Sequence, residues 1–208
     1  KGAEPKWEEY KEEMRQHGVP EWYIDSCKKI KYMFPKAHAV AYVTMAFRIA
    51  WFKVHIPLAY YAAYFSIRAD EFDSEFMIHG KEKVKAKMKE IEQQGNNATQ
   101  KDKGMYTILE IVLEFYERGF DFLPIDLYKS HSNKFQIEDG KIRPPLSSIA
   151  GLGGIAAENI YQAAKDGQFM CIDDLQLRAK IGKSTTEMLS KFGCLDGMSQ
   201  SNQISLFG

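Results

Sequence analysis

Ser148-Ile149-Ala150-Gly151-Leu152-Gly153-Gly154-Ile155-Ala156-Ala157-Glu158-Asn159-Ile160 reads as a very short helix or turn, a glycine hairpin and then a true helix. Gly151, Gly153 and Gly154 permit backbone angles that a β-carbon would penalise, and they let a partner approach the main chain closely. Leu152 is expected to point inward while the hairpin amides stay exposed. With the unpaired N–H groups that open the following helix, those amides offer a seat for a phosphate. The same residues also fit a glycine-rich helix start that binds nothing. Taken alone, the stretch leaves both readings open.

Downstream, the helix from Ile155 ends before Gly167, and Phe169 supplies a core contact. Asp173 is expected to cap a helix running through Leu175 and Leu177 to Ala179. Lys180-Ile181-Gly182-Lys183 then occupies the place of a second hairpin, and Ser184-Thr185-Thr186-Glu187 has the form of a capping box opening the last helix. Two such units look like tandem helix-hairpin-helix elements, which grip a nucleic-acid backbone without reading bases. The candidate backbone contacts are Gly151, Leu152, Gly153, Gly154, Lys180, Gly182 and Lys183. From Pro144 onward there are five basic and six acidic residues, so such a grip is geometric rather than electrostatic.

Upstream, residues 4–17 form a charged helix with apolar points at Trp7, Tyr10 and Met14, and a second helix is expected from Glu21 to Tyr32. No acidic residue occurs from Ser26 to Ala69, against seven basic ones: Lys28, Lys29, Lys31, Lys36, Arg48, Lys53 and Arg68. Thr44, Arg48 and His55 share one edge of a helix there, and His38, Tyr42 and Lys53 another. Apolar positions nearly surround the rest, so this helix and the next, from Pro57 to Ile67, are expected to be a buried pair. Cations beside a buried helix call for an anion, although each singly also fits a snorkelling core-edge residue. Lys81–Gln94 reads as a solvated helix, 95–100 as a mobile loop, and 105–118 as helix. Phe120–Leu127, Ser132–Ile137 and Lys141–Arg143, with a turn at Glu138-Asp139-Gly140, predict a small antiparallel patch.

The fold class is therefore mainly α with a small antiparallel β patch. Divisions are expected at 1–118 (helical), 119–145 (connector), 146–198 (hairpin module) and 199–208 (tail). The chain is formally neutral, with 28 basic and 28 acidic residues, so a nucleic-acid partner cannot be argued from total charge. Cys27, Cys171 and Cys194 are too few and scattered for a disulfide framework, which favours a reducing compartment. Arg48, Lys53, His55 and Pro57 interrupt the apolar run from Ala37 to Phe65 and argue against a membrane span. A first residue Lys1 points to a piece of something longer.

Phe34-Pro35-Lys36-Ala37-His38 with its continuation from Arg48 to Pro57, the run Glu21 to Met33, the tandem hairpins at 149–192 and the tail Gln203-Ile204-Ser205-Leu206-Phe207 resemble, over essentially the full length, one family. It is the C-terminal part of the bacterial replicative DNA polymerase III alpha subunit, of the PolC type. The resemblance implies that residues 1–118 are the later part of the fingers, with Lys36, His38, Arg48, Lys53 and Arg68 facing the triphosphate of the incoming dNTP. It implies that the hairpin module holds primer–template DNA. It further implies that Gln203, Ile204, Ser205, Leu206 and Phe207 bind the sliding clamp, with Ile204 departing from the commoner leucine. The Mg2+-holding palm of the family lies upstream, so no metal or cofactor is expected on this chain and no catalysis from it alone. The implied location is cytoplasmic, and the partners include the rest of the polymerase. The alternative is a stand-alone DNA-binding or repair accessory protein that uses the tandem hairpins alone.

Overall fold

A computed structural model describes residues 5–29 and 35–202. The chain divides into two compact units, residues 1–50 and 51–208. In the first, α1 (Trp7–Gln16) and α2 (Glu21–Lys29) contact each other, with Ile24 fully buried and Trp7 nearly so. Gly18, at φ +72°, closes α1, and Val19 N–H bonds back to Met14 O at 2.9 Å. The expected last turn of α2, to Tyr32, falls outside the described residues. A one-turn α3 (Pro35–His38) leads through a π-helical turn at Ala39–Val43 into α4 (Thr44–His55).

α4 corrects the sequence expectation. It buries no residue at all, and Phe47, Ile49, Trp51, Phe52 and Val54 are all exposed. An apolar surface running round a helix requires covering, but the described residues supply none. Its expected mate α5 (Pro57–Ile67) does bury Tyr61, Ala62 and Phe65.

The second unit has two cores. Tyr61, Phe65, Phe72, Phe115, Phe122 and Phe135 form an aromatic nucleus. Its closest pairs are Phe115–Phe122, at 4.6 Å between ring centroids, and Phe72–Phe135, at 4.7 Å. Helices α7 (Lys81–Gln94) and α8 (Gln100–Glu117) pack side by side and contribute Val84, Ile91, Ile108, Leu109 and Val112. α8 starts earlier than expected. Thr99 and Asp102 make a reciprocal cap, Asp102 N–H to Thr99 Oγ1 at 3.1 Å and Thr99 N–H to Asp102 Oδ2 at 3.0 Å.

The β patch is β1 (Gln136–Glu138) paired antiparallel with β2 (Lys141–Arg143), with Ile137 opposite Ile142. Asp139 and Gly140 both have positive φ, 52° and 73°, as a tight two-residue hairpin turn needs. The Phe120–Leu127 stretch joins only through one parallel bridge, Phe122 to Ile142. Arg143 is buried, held by both Glu138 carboxylate oxygens at 2.6 and 2.8 Å and by Pro124 O at 2.6 Å.

The second core gathers Ile125, Leu127, Leu146, Ile149, Leu152, Ile160, Leu175 and Leu189. Ile78 packs against both cores, and the buried hydroxyl of Ser74, on α6 (Ser74–Met77), donates to Ser148 Oγ at 2.7 Å. Replacing Phe115 by alanine empties the meeting point of five rings and should destabilise the protein by about 3–5 kcal/mol, read as a fall of roughly 10 °C in melting temperature.

Candidate nucleic-acid interface

The hairpin module is built from a 3-10 turn (Leu146–Ser148), α9 (Gly154–Lys165), α10 (Ile172–Ala179) and α11 (Lys183–Lys191). In the first hairpin, Leu152 N–H bonds to Ile149 O at 3.0 Å, Gly151 takes φ +85°, and Leu152 is buried. Gly153 is the N-cap of α9, no side chain caps that helix, and a β-carbon on Gly153 or Gly154 would meet open space.

The second hairpin repeats the order of residue roles, although Ile181 is half-buried and its N–H bonds five residues back, to Gln176 O at 3.1 Å. Lys180 stands where Gly151 stands, at φ 52° and ψ 47°. Ile181 takes the place of Leu152. Gly182 is the N-cap of α11, again without a side-chain cap, and Lys183 takes the place of Gly154. A left-handed lysine costs on the order of 1 kcal/mol, and here it brings a cation to the hairpin. The two hairpins are joined through Gly151, since a β-carbon there would lie 3.1 Å from Met188 Cε on α11.

Two local expectations are corrected. α10 is capped by Cys171, whose Sγ accepts from Asp174 N–H at 3.4 Å, and Asp173 lies in the first turn. The Ser184–Glu187 capping box is not formed, because α11 already begins at Lys183. Thr186 Oγ1 instead donates to Lys183 O at 2.8 Å and accepts from Gln176 at 3.2 Å.

A cleft of about 370 Å³ runs beside the first hairpin, between Ile149–Gly154 and a wall carrying Asp70, Glu71, Asp73 and Lys101. Burial raises the Asp73 carboxyl above its ordinary range, although it accepts the Glu75 N–H at 2.9 Å as the cap of α6. The wall is predominantly acidic. A phosphate on the hairpin amides is therefore better accommodated away from this side.

Of the upstream basic residues, Lys36, His38 and Arg48 belong to the first unit and Lys53 and Arg68 to the second. Lys36 and Arg48 are exposed, and the His38 ring lies 4.6 Å from that of Tyr42. Arg68 is bound by the Glu71 carboxylate. Lys53 is also engaged. Its ammonium bonds to Glu114 Oε2 at 2.7 Å, Tyr61 OH donates to Glu114 Oε1 at 3.0 Å, and Arg118 holds both Tyr61 OH and Lys53 O at 3.0 Å. The Glu114 hydrogen bond raises the Lys53 pKa against desolvation. Burial works to raise the Glu114 carboxyl, but hydrogen bonds from Lys53 and Tyr61 and the two nearby cations hold it below the ordinary range. Gln203, Ile204, Ser205, Leu206 and Phe207 lie outside the described residues.

A family described as "Helix-hairpin-helix motif" matches residues 119–204, which include both hairpins. DNA polymerase III PolC-type of Clostridium perfringens (strain 13 / Type A) is 54% identical over 195 residues, 94% of this chain. That of Bacillus subtilis (strain 168) is 52% identical over 207 residues, 100% of this chain. The chain is homologous to a segment of PolC-type DNA polymerase III. It spans 14% of the length of each of these relatives. Among the described residues no group of three or more His, Cys, Asp or Glu side chains could hold a metal ion.

Because its pKa is depressed on folding, Glu114 contributes stability above the ordinary carboxylate range and loses it as pH falls through the folded value. Glu114→Gln should lower stability at neutral pH by about 1 kcal/mol or less, given the partial exposure of the pair. It should also flatten the loss of stability between neutral and strongly acidic pH, checked by denaturant melts across that range.

Proposed function

We propose that this chain is the C-terminal part of a PolC-type replicative DNA polymerase, there contacting the incoming dNTP and the primer–template duplex and binding the sliding clamp. The observation that carries the reading is the pair of hairpins, each with a positive-φ residue and each followed by a glycine-capped helix whose N-terminus no side chain fills. Backbone amides placed in this way suit two phosphates of a duplex, with Lys180 and Lys183 adding charge at the second. Gly151, Leu152, Gly153, Gly154 and Gly182 supply shape. The near-balance of charge in the module fits a grip that follows the duplex without seizing it.

Residues 1–118 are then the later fingers, 119–145 a connector, 146–198 the duplex-holding module and 199–208 the clamp tail. The start of the matched hairpin family at residue 119 is consistent with the first of these boundaries. Lys36, His38 and Arg48 are the fingers residues suited to meet the triphosphate from an exposed strip. Lys53 and Arg68 would act there only by exchanging a carboxylate partner for phosphate. Mg2+ in the parent enzyme would be held elsewhere, in the palm, and the chain alone would extend no primer. The exposed apolar surface of α4 fits a helix covered by the rest of the polymerase. No single helix among the described residues is long and apolar enough to cross a membrane, although the bent pair Lys36–His55 and Pro57–Ile67 passes by length and composition. Gln203–Phe207 would dock on the sliding clamp through Leu206 and Phe207, and the setting is the cytoplasm.

In the full-length polymerase, Lys180→Ala with Lys183→Ala should weaken duplex binding and make the slope of log affinity against log salt shallower by about 2. An unchanged slope would remove the second hairpin from the DNA contact. Deleting residues 203–208 should abolish clamp binding measured without DNA, and undiminished affinity would sink the tail assignment.

A further inference from the structure

Ser199 and Gln200 lie along the start of α10. Ile172 N–H donates to Ser199 O at 2.9 Å and Asp173 N–H to Gln200 O at 3.1 Å. Gln200 Nε2 adds a bond to Asp173 Oδ1 at 2.9 Å. The next N–H of the helix, that of Asp174, is taken by Cys171 Sγ. A helix opens with N–H groups that have no partner inside it. In α10 the first three are all closed, two of them by the main chain that leads into the tail. On the upstream side, Met198 N–H bonds to Leu195 O at 3.0 Å, and Leu195 is buried in the second core. The stretch from Leu195 to Gln200 is thus tied at both ends. α9 and α11 differ, since glycine caps both and no side chain fills their starts.

We infer that Ser199–Gln200 is a strap that pins the root of the tail to α10, so that the peptide at 203–207 leaves the hairpin module from a fixed point on a very short tether. The inference rests on the reading of that peptide as the clamp ligand. Ser201 and Asn202 follow, and Asn202 Nδ2 donates to Met170 Sδ at 3.7 Å, so the attachment runs up to the residue before the peptide and leaves a very short tether, about 3.5 Å per extended residue. A tether of that length keeps a bound clamp at high effective concentration beside the module, and the advantage falls roughly as the −3/2 power of tether length. Without the pin, the free segment would run back to Leu195 and its exit direction would be lost. Asp173 is the positioning residue, acting through Gln200 and not through contact with DNA or clamp.

The test uses the full-length polymerase, its sliding clamp and a primed template. Inserting ten Gly and Ser residues between Asn202 and Gln203 keeps both strap and peptide. It should leave clamp affinity measured without DNA unchanged and shorten the processive tract roughly tenfold. Asp173→Ala with Gln200→Ala should shorten it by a smaller factor and speed amide exchange at Ile172 and Asp173. Unchanged tract length after the insertion overturns the inference. So does exchange at Ile172 and Asp173 that is already as fast as in an exposed loop of the unaltered enzyme. Leu206→Ala with Phe207→Ala separates the two ideas. If clamp binding survives that pair of changes, the peptide assignment fails, whereas loss of binding together with an insertion of no effect leaves the peptide and removes the strap.

Discussion

Met188 Cε would lie 3.1 Å from a β-carbon at position 151, closer than an ordinary van der Waals contact. The hairpin module depends on this contact, since it brings the first glycine turn directly onto the helix that follows the second. Methionine suits the task because its thioether adapts to an irregular gap. Gly151 also takes a φ of +85°, at which a side chain would be strained, so one residue meets two demands, a backbone angle and a close approach. With Ile149, Leu152, Ala157, Leu175 and Leu189 buried around it, the relative placement of the hairpins is set by close packing and not by a flexible joint. In a module whose charges nearly cancel, that placement has to supply what electrostatics does not.

The module is also not isolated from the helical half of its unit. Ser74 and Ser148 share a buried hydrogen bond, Ile78 touches both cores, and the acidic wall beside the first hairpin comes from residues 70–73. A buried hydroxyl pair is costly to leave unmatched, so this join resists sliding more than apolar contact alone would. The connector between the halves is short of regular structure but firmly tied, since Arg143 is satisfied by Glu138 and Pro124 with its guanidinium almost fully buried.

The hairpins and the Asp139-Gly140 turn were legible in the sequence because each is decided by residues that are neighbours in the chain. The helix class and the β patch followed for the same reason. Caps were read less well. Asp173 and Ser184 are good capping residues, yet the backbone enters each helix two residues earlier, and Cys171 and Gly182 occupy the caps instead. Gly104 hid the true start of α8, although Thr99 and Asp102 carried a usable signal. The exposure of α4 could not be read at all. An apolar surface states that covering is needed and is silent about which chain provides it.

Charge partners show the same limit more sharply. The run from Ser26 to Ala69 gathers cations with no acid beside them in sequence, but Glu114 stands 61 residues from Lys53 and nothing local joins them. Once paired, Lys53 is no longer a free cation. Drawing it to an outside phosphate would leave Glu114 partly buried with only Tyr61 and Arg118 beside it, and would release the end of α4 from its ammonium anchor. Arg68 is similarly committed to Glu71. The described cations of this run therefore fall into two sets, those that tie elements of the chain together and those, Lys28, Lys29, Lys36 and Arg48, that make no ion pair among the described residues. The field available to an outside anion comes from the second set, so the local excess of positive charge in the sequence overstates what a ligand would meet.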